Sequence, residues 1–392
     1  MPTFAGVITS RKCLVGLLVA VLVAGGGAAA TAQPTAGAAP PGLQASLDKV
    51  VADGVPGAIV LERQGDQVWH ATAGVRDLRT GDPIRATDRF RIGSNTKSFI
   101  STVILQFEAE HRLRLTDTVE HWLPGVVPNG SAITIRELLN HTSGVPEYAD
   151  VAFVLQNRYR TLQPIDLVRH ALAQRPLFPP GTGWSYSNTN YILLGMIIAK
   201  VDHLPEQYAP VWEIYRRIIA PLGLTQTSFP ITDPGIAGPH PRGYIIDPPD
   251  EWHLPGTTDT TTFNPSWAWT AGAIISTADD LARFHRALFT GQLLPPTQQH
   301  ELLDTVPEGP GVNAGYGLGV LRAHTPCGDA WGHEGDFPGY ESTSLTSPDG
   351  TRQVVLLTNR EADSVTDQIL EDETSALITA FCGPATPATP PT

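Results

Sequence analysis

Strand patterns occur near both ends of this 392-residue chain, and helical patterns fill the middle. Residues 57–74 read as two strands around the turn Gln64-Gly65-Asp66. Three further strand patterns lie between residues 331 and 358. Because strands from the two ends have to bury their apolar faces together, we predict one antiparallel sheet assembled from both termini. The expected fold class is α/β (α+β type), with helices flanking the sheet and a helical subdomain inserted into it.

Apolar residues recur at helical spacing in the segments between and beside these strands. Thr134-Ile135-Arg136-Glu137 is a capping box and marks the start of a short helix. Longer helices are predicted at 43–51, 94–111, 164–174, 191–201, 206–219, 278–288 and 365–381. The folded domain is expected at 43–382, with its sheet part at about 43–93 and 271–382 and its helical part at about 94–270.

The first 32 residues have the features of a secretory signal. Arg11-Lys12 precede the apolar run Cys13–Ala24, and Ala30-Thr31-Ala32 provides a cleavage site of the small-x-small type. The alternative is a membrane anchor, but a spanning helix needs about 20 apolar residues. We therefore expect a secreted protein with no membrane span once the signal has been removed.

Residues 33–42 are predicted to be a linker and residues 383–392 a disordered tail, because neither has the apolar content needed to fold. The net charge is -13, and it becomes -15 when the signal takes away Arg11 and Lys12 and no acidic residue. An acidic surface of this size argues against nucleic acids and anionic membranes as partners.

Two cysteines, Cys327 and Cys382, remain after the signal. Cysteines of an exported protein are expected to pair, so a disulfide between them is predicted. The alternative is two unrelated buried thiols. Neither cysteine has the surroundings of a nucleophile.

Ser94-Asn95-Thr96-Lys97 stands at the predicted start of an apolar helix. Ser-x-x-Lys on a helix brings the two side chains to one face, where a neutral amine can take the proton of the hydroxyl. The pKa of Lys97 then has to fall from about 10.4 through burial or nearby positive charge. Ser46-Leu47-Asp48-Lys49 has the same spacing, but it lies beside the linker and is interpreted as a solvated face.

Tyr186-Ser187-Asn188 and His333-Glu334-Gly335 follow in that order. A phenol near Ser94 could shuttle a proton, and the amide of Asn188 could hold Lys97 or a substrate carbonyl. Taken alone, the first group could be turn and N-cap chemistry, and His333 could be a structural histidine. Gly335, at a predicted strand edge, leaves room for a substrate backbone, and the N–H groups of Ser94 and the residue after Gly335 could form an oxyanion hole.

Two other sequence patterns lack the features of a binding site. Gly315-Tyr316-Gly317-Leu318-Gly319 is rich in glycine, but it precedes a strand and does not open a helix, so nucleotide binding is not expected. The histidines lack the spacing of zinc ligands, and no cofactor is predicted.

The three motifs and their order resemble those of the penicillin-recognising serine hydrolases, with the closest likeness to soluble secreted D-alanyl-D-alanine carboxypeptidases and class C β-lactamases. The likeness runs from about residue 43 to residue 382 and so covers nearly all of the predicted domain. Further segments that carry it are Phe90–Gly93, Glu137–Gly144, Tyr186–Tyr191, Ser266–Ala268, Ala271–Thr277 and Phe381–Gly383. It implies a β-lactamase/transpeptidase-like fold.

The resemblance also implies roles for individual residues. Ser94 would be the acylated nucleophile, Lys97 its base and Tyr186 the proton shuttle. Asn188 and His333 would complete the proton network. Trp267, Glu334, Gly335 and Asp336 would line the substrate cleft, and Cys327 and Cys382 would match the family's single disulfide.

Glu334 and Asp336 depart from the resemblance, because the carboxypeptidases have hydroxyl residues at these places to bind a terminal carboxylate. The carboxylate-binding arginine of the family falls near Leu321 or Arg322, and the better register gives the leucine. Two acids facing a carboxylate repel it. Strict specificity for D-Ala-D-Ala is therefore in question.

We expect an exported serine hydrolase that forms an acyl-enzyme on Ser94, of the D-Ala-D-Ala carboxypeptidase type, acting on a small peptidoglycan-derived peptide and acylated by β-lactams. One alternative keeps the machinery but changes the substrate to an ester, or to a D-amino-acid amide or peptide with a free amine, which Glu334 and Asp336 would attract. An alternative of another class is a penicillin-binding sensor without turnover.

Overall fold

The structure is a computed structural model that describes residues 40–248, 252–308, 314–361 and 366–383. The predicted signal, all but the end of the predicted linker, and the predicted tail beyond Gly383 lie outside the described residues. No helix in the described part of the chain has the length and apolar character that crossing a membrane requires.

The strands are short to medium in length and lie mainly at the two ends of the domain. They are β1 Gly57–Gln64, β2 Gln67–Asp77, β3 Asp82–Pro83, β4 Phe90–Arg91, β5 Tyr244–Ile246, β6 Thr257–Asp259, β7 Ile275–Ser276, β8 Val306–Pro307, β9 Ala314–Tyr316, β10 Leu321–Thr325, β11 Gly328–Phe337, β12 Tyr340–Thr346 and β13 Arg352–Thr358.

The helices lie mostly between the two groups of strands. They are α1 Pro41–Ala52, α2 Thr96–Ala109, α3 Val119–Trp122, α4 Ile135–Leu139, α5 Val151–Asn157, α6 Pro164–Leu172, α7 Asn188–Asp202, α8 Ala209–Ile214, α9 Ala220–Leu222, α10 Trp269–Gly272, α11 Ala278–Phe289, α12 Pro296–Leu303 and α13 Asp367–Cys382. A π-helical turn, Tyr215–Ile219, joins α8 to α9.

The main sheet has nine antiparallel strands in the order β3-β2-β1-β13-β12-β11-β10-β9-β8. The pair β1–β13 joins the two ends of the chain, with Ala58 opposite Thr358 and Gln64 opposite Arg352. This confirms the predicted sheet assembled from both termini. The hairpin β1–β2 also forms where the turn Gln64-Gly65-Asp66 predicts it.

Both faces of the central strands are buried, because side chains alternate between two apolar layers. Ile59 and Leu61 of β1 face the large core shared with α2 and α11, whereas Ala58 and Val60 face a smaller core under α1 and α13. Burial on both faces explains why the first five residues of β1, 57–61, form a run without polar side chains.

Three boundaries differ from the sequence expectations and bear on the site. A 3-10 turn, Gly93–Asn95, carries Ser94, so α2 begins only at Thr96. Helix α7 begins at Asn188 and not at Tyr191. Strand β11 begins at Gly328, because it forms a hairpin with β10, so His333 lies well inside the strand and not at its start.

Cys327, in the β10–β11 turn, and Cys382, the last residue of α13, form a disulfide with their Cα atoms 5.5 Å apart.

The capping box at Thr134 is present with both of its hydrogen bonds. The segment predicted as one helix at 206–219 is divided into α8 and the π-helical turn.

Candidate active site

Ser94 and Lys97 meet at the start of α2, as the Ser-x-x-Lys spacing predicts. The Nζ atom of Lys97 lies 2.8 Å from the Oγ atom of Ser94. Lys97 has no solvent-exposed surface. The other copy of the motif is separate, because Lys49 is 59% exposed and pairs with Asp372 of α13.

Two further oxygens surround the amine of Lys97: Oδ1 of Asn188 at 2.7 Å and the carbonyl oxygen of Ala271 at 2.7 Å. Both oxygens only accept hydrogen bonds, so they take two N–H groups and leave the third position facing Ser94. Burial lowers the pKa of Lys97 to about 7, although the charge of Glu147 opposes this shift. A neutral amine in this position turns its lone pair to the Ser94 hydroxyl and can accept the proton.

Tyr186 closes the site from the side of the Tyr186-Ser187-Asn188 loop. Its ring centroid lies 4.9 Å from Nζ of Lys97. Burial raises the pKa of the Tyr186 phenol well above its usual value, and a hydrogen bond with Ser94 opposes this only in part. The phenol is therefore protonated at neutral pH, so it is able to donate a proton, whereas the lowered pKa of Lys97 allows that amine to accept one.

Glu147, which the sequence analysis missed, holds Asn188 in place. Its Oε2 atom accepts the backbone N–H of Asn188 at 2.6 Å and the side-chain amide at 3.1 Å. Because the amide NH₂ faces Glu147, the amide oxygen faces Lys97. Burial raises the pKa of Glu147, against the effect of the N–H donors and of the charge on Lys97. The only signal in the sequence is an acidic residue between Pro146 and Tyr148.

His333 forms a hydrogen bond with Tyr316, a second residue of the site that the sequence analysis missed. The Oη atom of Tyr316 lies 2.8 Å from Nε2 of His333, and both side chains are buried. Nδ1 of His333 faces the carbonyl oxygen of Glu334, which can only accept, so Nδ1 carries the hydrogen and Nε2 accepts from Tyr316. Burial, with a further contribution from Lys97, lowers the pKa of His333 to about 3. His333 is thus a neutral ring that joins β11 to Tyr316.

Two glycines bring β11 into backbone contact with the turn that carries Ser94. A Cβ atom at Gly335 would lie 2.0 Å from the carbonyl oxygen of Ile92 and 2.6 Å from Oγ of Ser342. Gly93 has a φ of +46°, and a Cβ there would lie 2.4 Å from the backbone nitrogen of Asp336. The absence of a side chain at Gly335 therefore makes room for the turn that carries Ser94. The sequence analysis expected this room to be used by the backbone of a substrate. The contact also places the backbone amide of Asp336 next to Gly93, the residue before Ser94.

A cavity of about 200 Å³ opens over Ser94. All the predicted substrate-binding residues, Trp267, Glu334, Gly335 and Asp336, line it, as do Tyr186, Asn188 and His333. Its carboxylate-bearing residues are Glu308, Glu334, Asp336, Glu341 and Glu361, and none of the described residues in its wall is a lysine or an arginine.

The rest of the cavity wall is largely apolar and aromatic. It includes Val151, Val154, Leu155, Trp184, Ile245, Trp252 and Trp267. Leu321 also lines it, whereas its neighbour Arg322 does not, which agrees with the register that gives the leucine. Within the described ranges, no group of acidic, histidine or cysteine side chains has the arrangement of a metal site.

Comparison with known proteins identifies the family. Residues 43–375 match the family model described as Beta-lactamase. The chain belongs to the β-lactamase family. It is a serine hydrolase of this family, homologous to penicillin-binding proteins. One such relative is the putative penicillin-binding protein PbpX of Bacillus subtilis, which is 29% identical over 320 residues, covering 81% of this chain and 73% of the relative.

Solved structures that are similar to this chain include a D-stereospecific amidohydrolase and a D-amino acid amidase. The D-stereospecific amidohydrolase from Streptomyces sp. is 40% identical, with a TM-score of 0.76, and the match covers 88% of this chain and 98% of that one. The D-amino acid amidase from Ochrobactrum anthropi SV3, in complex with L-phenylalanine, is 27% identical, with a TM-score of 0.75 over 87% of this chain and 98% of that one.

Proposed function

We propose that the protein hydrolyses amides or short peptides of D-amino acids that carry a free amino group, through an acyl-enzyme on Ser94. The observation that carries this proposal is the acidic composition of the cavity wall, which has five carboxylate-bearing residues and no described lysine or arginine. One of the five, Glu308, is only partly ionised at neutral pH, because burial and the charge of Glu334 raise its pKa to about 7. A substrate ammonium is attracted to such a wall, and a substrate carboxylate is repelled. The apolar and aromatic part of the cavity suits a large apolar side chain.

The D configuration is supported by similarity and not by the cavity alone. The Streptomyces amidohydrolase, at 40% identity, is described as D-stereospecific, and the Ochrobactrum enzyme is described as a D-amino acid amidase. A shared fold does not by itself imply a shared substrate. The names of these two enzymes and the acidic cavity wall together favour a D-amino-acid amide or peptide with a free amino group.

The acylation step follows from the hydrogen bonds around Lys97. The neutral amine takes the proton of the Ser94 hydroxyl as the oxygen attacks the amide carbon, and the carbon–nitrogen bond of the tetrahedral intermediate then breaks. Tyr186 gives its proton to the leaving nitrogen and receives the proton held by Lys97. Lys97 is neutral again when the ester on Ser94 has formed.

The second candidate is a D-Ala-D-Ala carboxypeptidase, which the homology to penicillin-binding proteins supports. Its substrate ends in a carboxylate and has no free amine beside the scissile bond. The acidic wall and Leu321 both disfavour such a substrate. This candidate is therefore the alternative outcome of the substrate test.

We also propose that the protein is exported. The proposal rests on the charged, apolar and small-residue pattern of the first 32 residues. The paired cysteines Cys327 and Cys382 are consistent with it, because disulfides persist in oxidising compartments. The test is expression with the intact leader, followed by N-terminal sequencing of the protein recovered from the culture medium. A cell-retained protein with an intact leader would refute it.

The substrate test compares D-phenylalanine amide, L-phenylalanine amide, N-acetyl-D-phenylalanine amide and an N-acylated peptide ending in D-Ala-D-Ala. We expect D-phenylalanine amide to have the highest kcat/KM, and N-acetylation, which removes the ammonium, to lower kcat/KM at least tenfold. Ser94→Ala should abolish turnover, and Ser46→Ala should not. Preference for the peptide that ends in D-Ala-D-Ala would reject the proposal in favour of the carboxypeptidase.

A further inference from the structure

A buried histidine, His141, holds the chain on both sides of Tyr186. It lies just after the short helix α4 and has no solvent-exposed surface. Its backbone carbonyl oxygen accepts the N–H of Ser185 at 3.1 Å, and its ring Nδ1 accepts the N–H of Ser187 at 3.1 Å. Residues 183–187 belong to no helix or strand, so the place of Tyr186 depends on contacts such as these.

The imidazole of His141 also packs against the phenol ring of Tyr186. The two ring centroids are 4.3 Å apart, and the ring planes are inclined by 32°. On its other sides the imidazole lies 4.8 Å from the ring of Tyr316 and 5.5 Å from the ring of Tyr191. The imidazole is thus enclosed by three tyrosine rings, and it stops the ring of Tyr186 from moving in its direction.

The hydrogen bonds of Nδ1 require a neutral imidazole. A backbone N–H can only donate, so Nδ1 accepts from Ser187, and the hydrogen of the neutral ring is on Nε2. The amide nitrogen of Asn190 also lies 3.1 Å from Nδ1, and its amide oxygen accepts from Oγ of Ser143 at 2.7 Å, so the amide NH₂ faces the ring. Burial, with a further contribution from the charge of Lys97, lowers the pKa of His141 well below its usual value. The ring therefore stays an acceptor at neutral pH.

The backbone of His141 is strained, which is a separate observation. Its φ is +63°, a left-handed conformation that is uncommon for a residue with a side chain. Strained residues persist where surrounding contacts hold them, and they concentrate at functional sites. Here the strained residue is the one that contacts both chain neighbours of Tyr186.

We propose that His141 is a positioning residue for the transfer of a proton from Tyr186 to the leaving group. This rests on the proposed function, in which the phenol gives its proton to the leaving nitrogen. An amide nitrogen needs that proton in order to leave, whereas p-nitrophenolate leaves without it. A misplacement of about 1 Å can lower a rate about 100-fold. Loss of the His141 contacts therefore slows the cleavage of amides much more than the cleavage of activated esters.

Two substrates with the same acyl group test this proposal: D-phenylalanine amide and the p-nitrophenyl ester of D-phenylalanine. We expect His141→Ala to lower kcat/KM about 100-fold for the amide and less than about fivefold for the ester. His141→Asn keeps an oxygen that can accept from Ser187 and tolerates a positive φ, so it should show the same selectivity to a smaller extent. The control is His285→Asn, which removes another fully buried imidazole, bonded to Ser344, and should change both substrates by the same factor.

Thermal unfolding shows that each variant is folded, and His141→Asn carries the test if the alanine variant is not. Tyr186→Phe separates this proposal from the proposed reaction. If wild-type protein does not cleave the amide, or if Tyr186→Phe slows the amide and the ester alike, the proposed reaction is wrong and the role of His141 is refuted with it.

If Tyr186→Phe slows the amide selectively, equal slowing of the two substrates by the His141 variants overturns the role of His141 alone. The double variant supplies a second criterion. With Tyr186→Phe already present, His141→Ala should lower amide cleavage little further, because the proton donor is gone. A full additional loss would show that the two side chains act independently and would overturn the proposal.

Discussion

Lys97 has to lose its proton before it can act as the proposed base, and its surroundings set the pH at which this happens. Burial lowers its pKa to about 7, so the protonated, inactive form dominates below that pH and the neutral base dominates above it. We therefore expect the acylation rate to rise with pH through about 7 and then to level off. Stopped-flow acylation by an uncharged p-nitrophenyl ester between pH 5 and pH 9 measures this.

Lys97→Arg is the matched variant for this prediction, because it keeps the positive charge but cannot become neutral. Loss of a general base typically lowers the rate about 10²–10⁴-fold. A rate independent of pH between 6 and 8, or an active Lys97→Arg enzyme, would show that Lys97 is not the base.

Glu147 provides a second prediction at the scale of single residues. Its negative charge raises the pKa of Lys97, against the effect of burial. Glu147→Gln removes that charge but retains an oxygen that can accept the N–H groups of Asn188. The pKa of Lys97 should fall further, and the rise of the acylation rate should move to lower pH. A shift to higher pH, or none, would mean that Glu147 positions Asn188 without acting on Lys97 electrostatically.

At the scale of secondary-structure elements, the contact between β11 and the Ser94 turn depends on the absence of a side chain at Gly335. Gly335→Ala would place a Cβ atom 2.0 Å from the carbonyl oxygen of Ile92, so the strand and the turn have to separate. We expect unfolding free energy to fall by about 1–3 kcal/mol, as for other overpacked cores. The acylation rate should fall even under conditions in which the variant is fully folded, since the amide of Asp336 moves away from Ser94.

Gly256→Ala is the control for this substitution, because the nearest atom to its added Cβ, Oδ1 of Asp247, is 3.8 Å away. Urea unfolding and acylation by the p-nitrophenyl ester are measured for both variants. Equal behaviour of the two would show that close packing of β11 on the turn is not needed for activity.

How far the elements could be predicted depended on whether the deciding interactions were local. The β1–β2 hairpin and the capping box at Thr134 are set by neighbouring residues, and both were predicted from the sequence. The start of α7 at Asn188 was missed, because the carboxylate of Glu147, 41 residues earlier, accepts the backbone N–H there. Local patterns carry no information about such a partner.

The same limit applies within the site. Ser94 and Lys97 are three residues apart, so helical geometry alone predicts that they meet. Strand β10 lies between β9 and β11, and its Leu321 is opposite both Tyr316 and Gly332. This register brings the side chain of Tyr316 to that of His333, 17 residues later in the chain. In the sequence, the glycine-rich segment that contains Tyr316 resembles only a nucleotide loop. The order of the strands in the sheet is what assigns Tyr316 to the site.

At the scale of the whole molecule, the covering layer on the outer face of the sheet comes from the two ends of the domain. Helix α1 and helix α13 pack there together, over Ala58, Val60 and Val354. The disulfide ties Cys382, at the end of α13, to Cys327, beside the β10–β11 turn. The covalent bond thus closes this covering layer at the end of α13 that lies beside the first residues of α1, where Gly42 approaches Thr379.

Removal of the disulfide should therefore destabilise the fold without damaging the chemistry at Ser94. The bond spans 55 residues, and in the chain-entropy model a loop of this length contributes about 4 kcal/mol to the free energy of unfolding. We expect the double variant Cys327→Ala/Cys382→Ala to lose about that amount in urea unfolding, and wild-type protein in dithiothreitol to unfold at the same midpoint as the variant. Acylation at 25 °C should stay within a few-fold of wild type, because both cysteines lie outside the cavity wall. A large loss of acylation rate in the folded variant would instead mean that α13 and the disulfide hold β11 against the Ser94 turn. The outer layer would then shape the site.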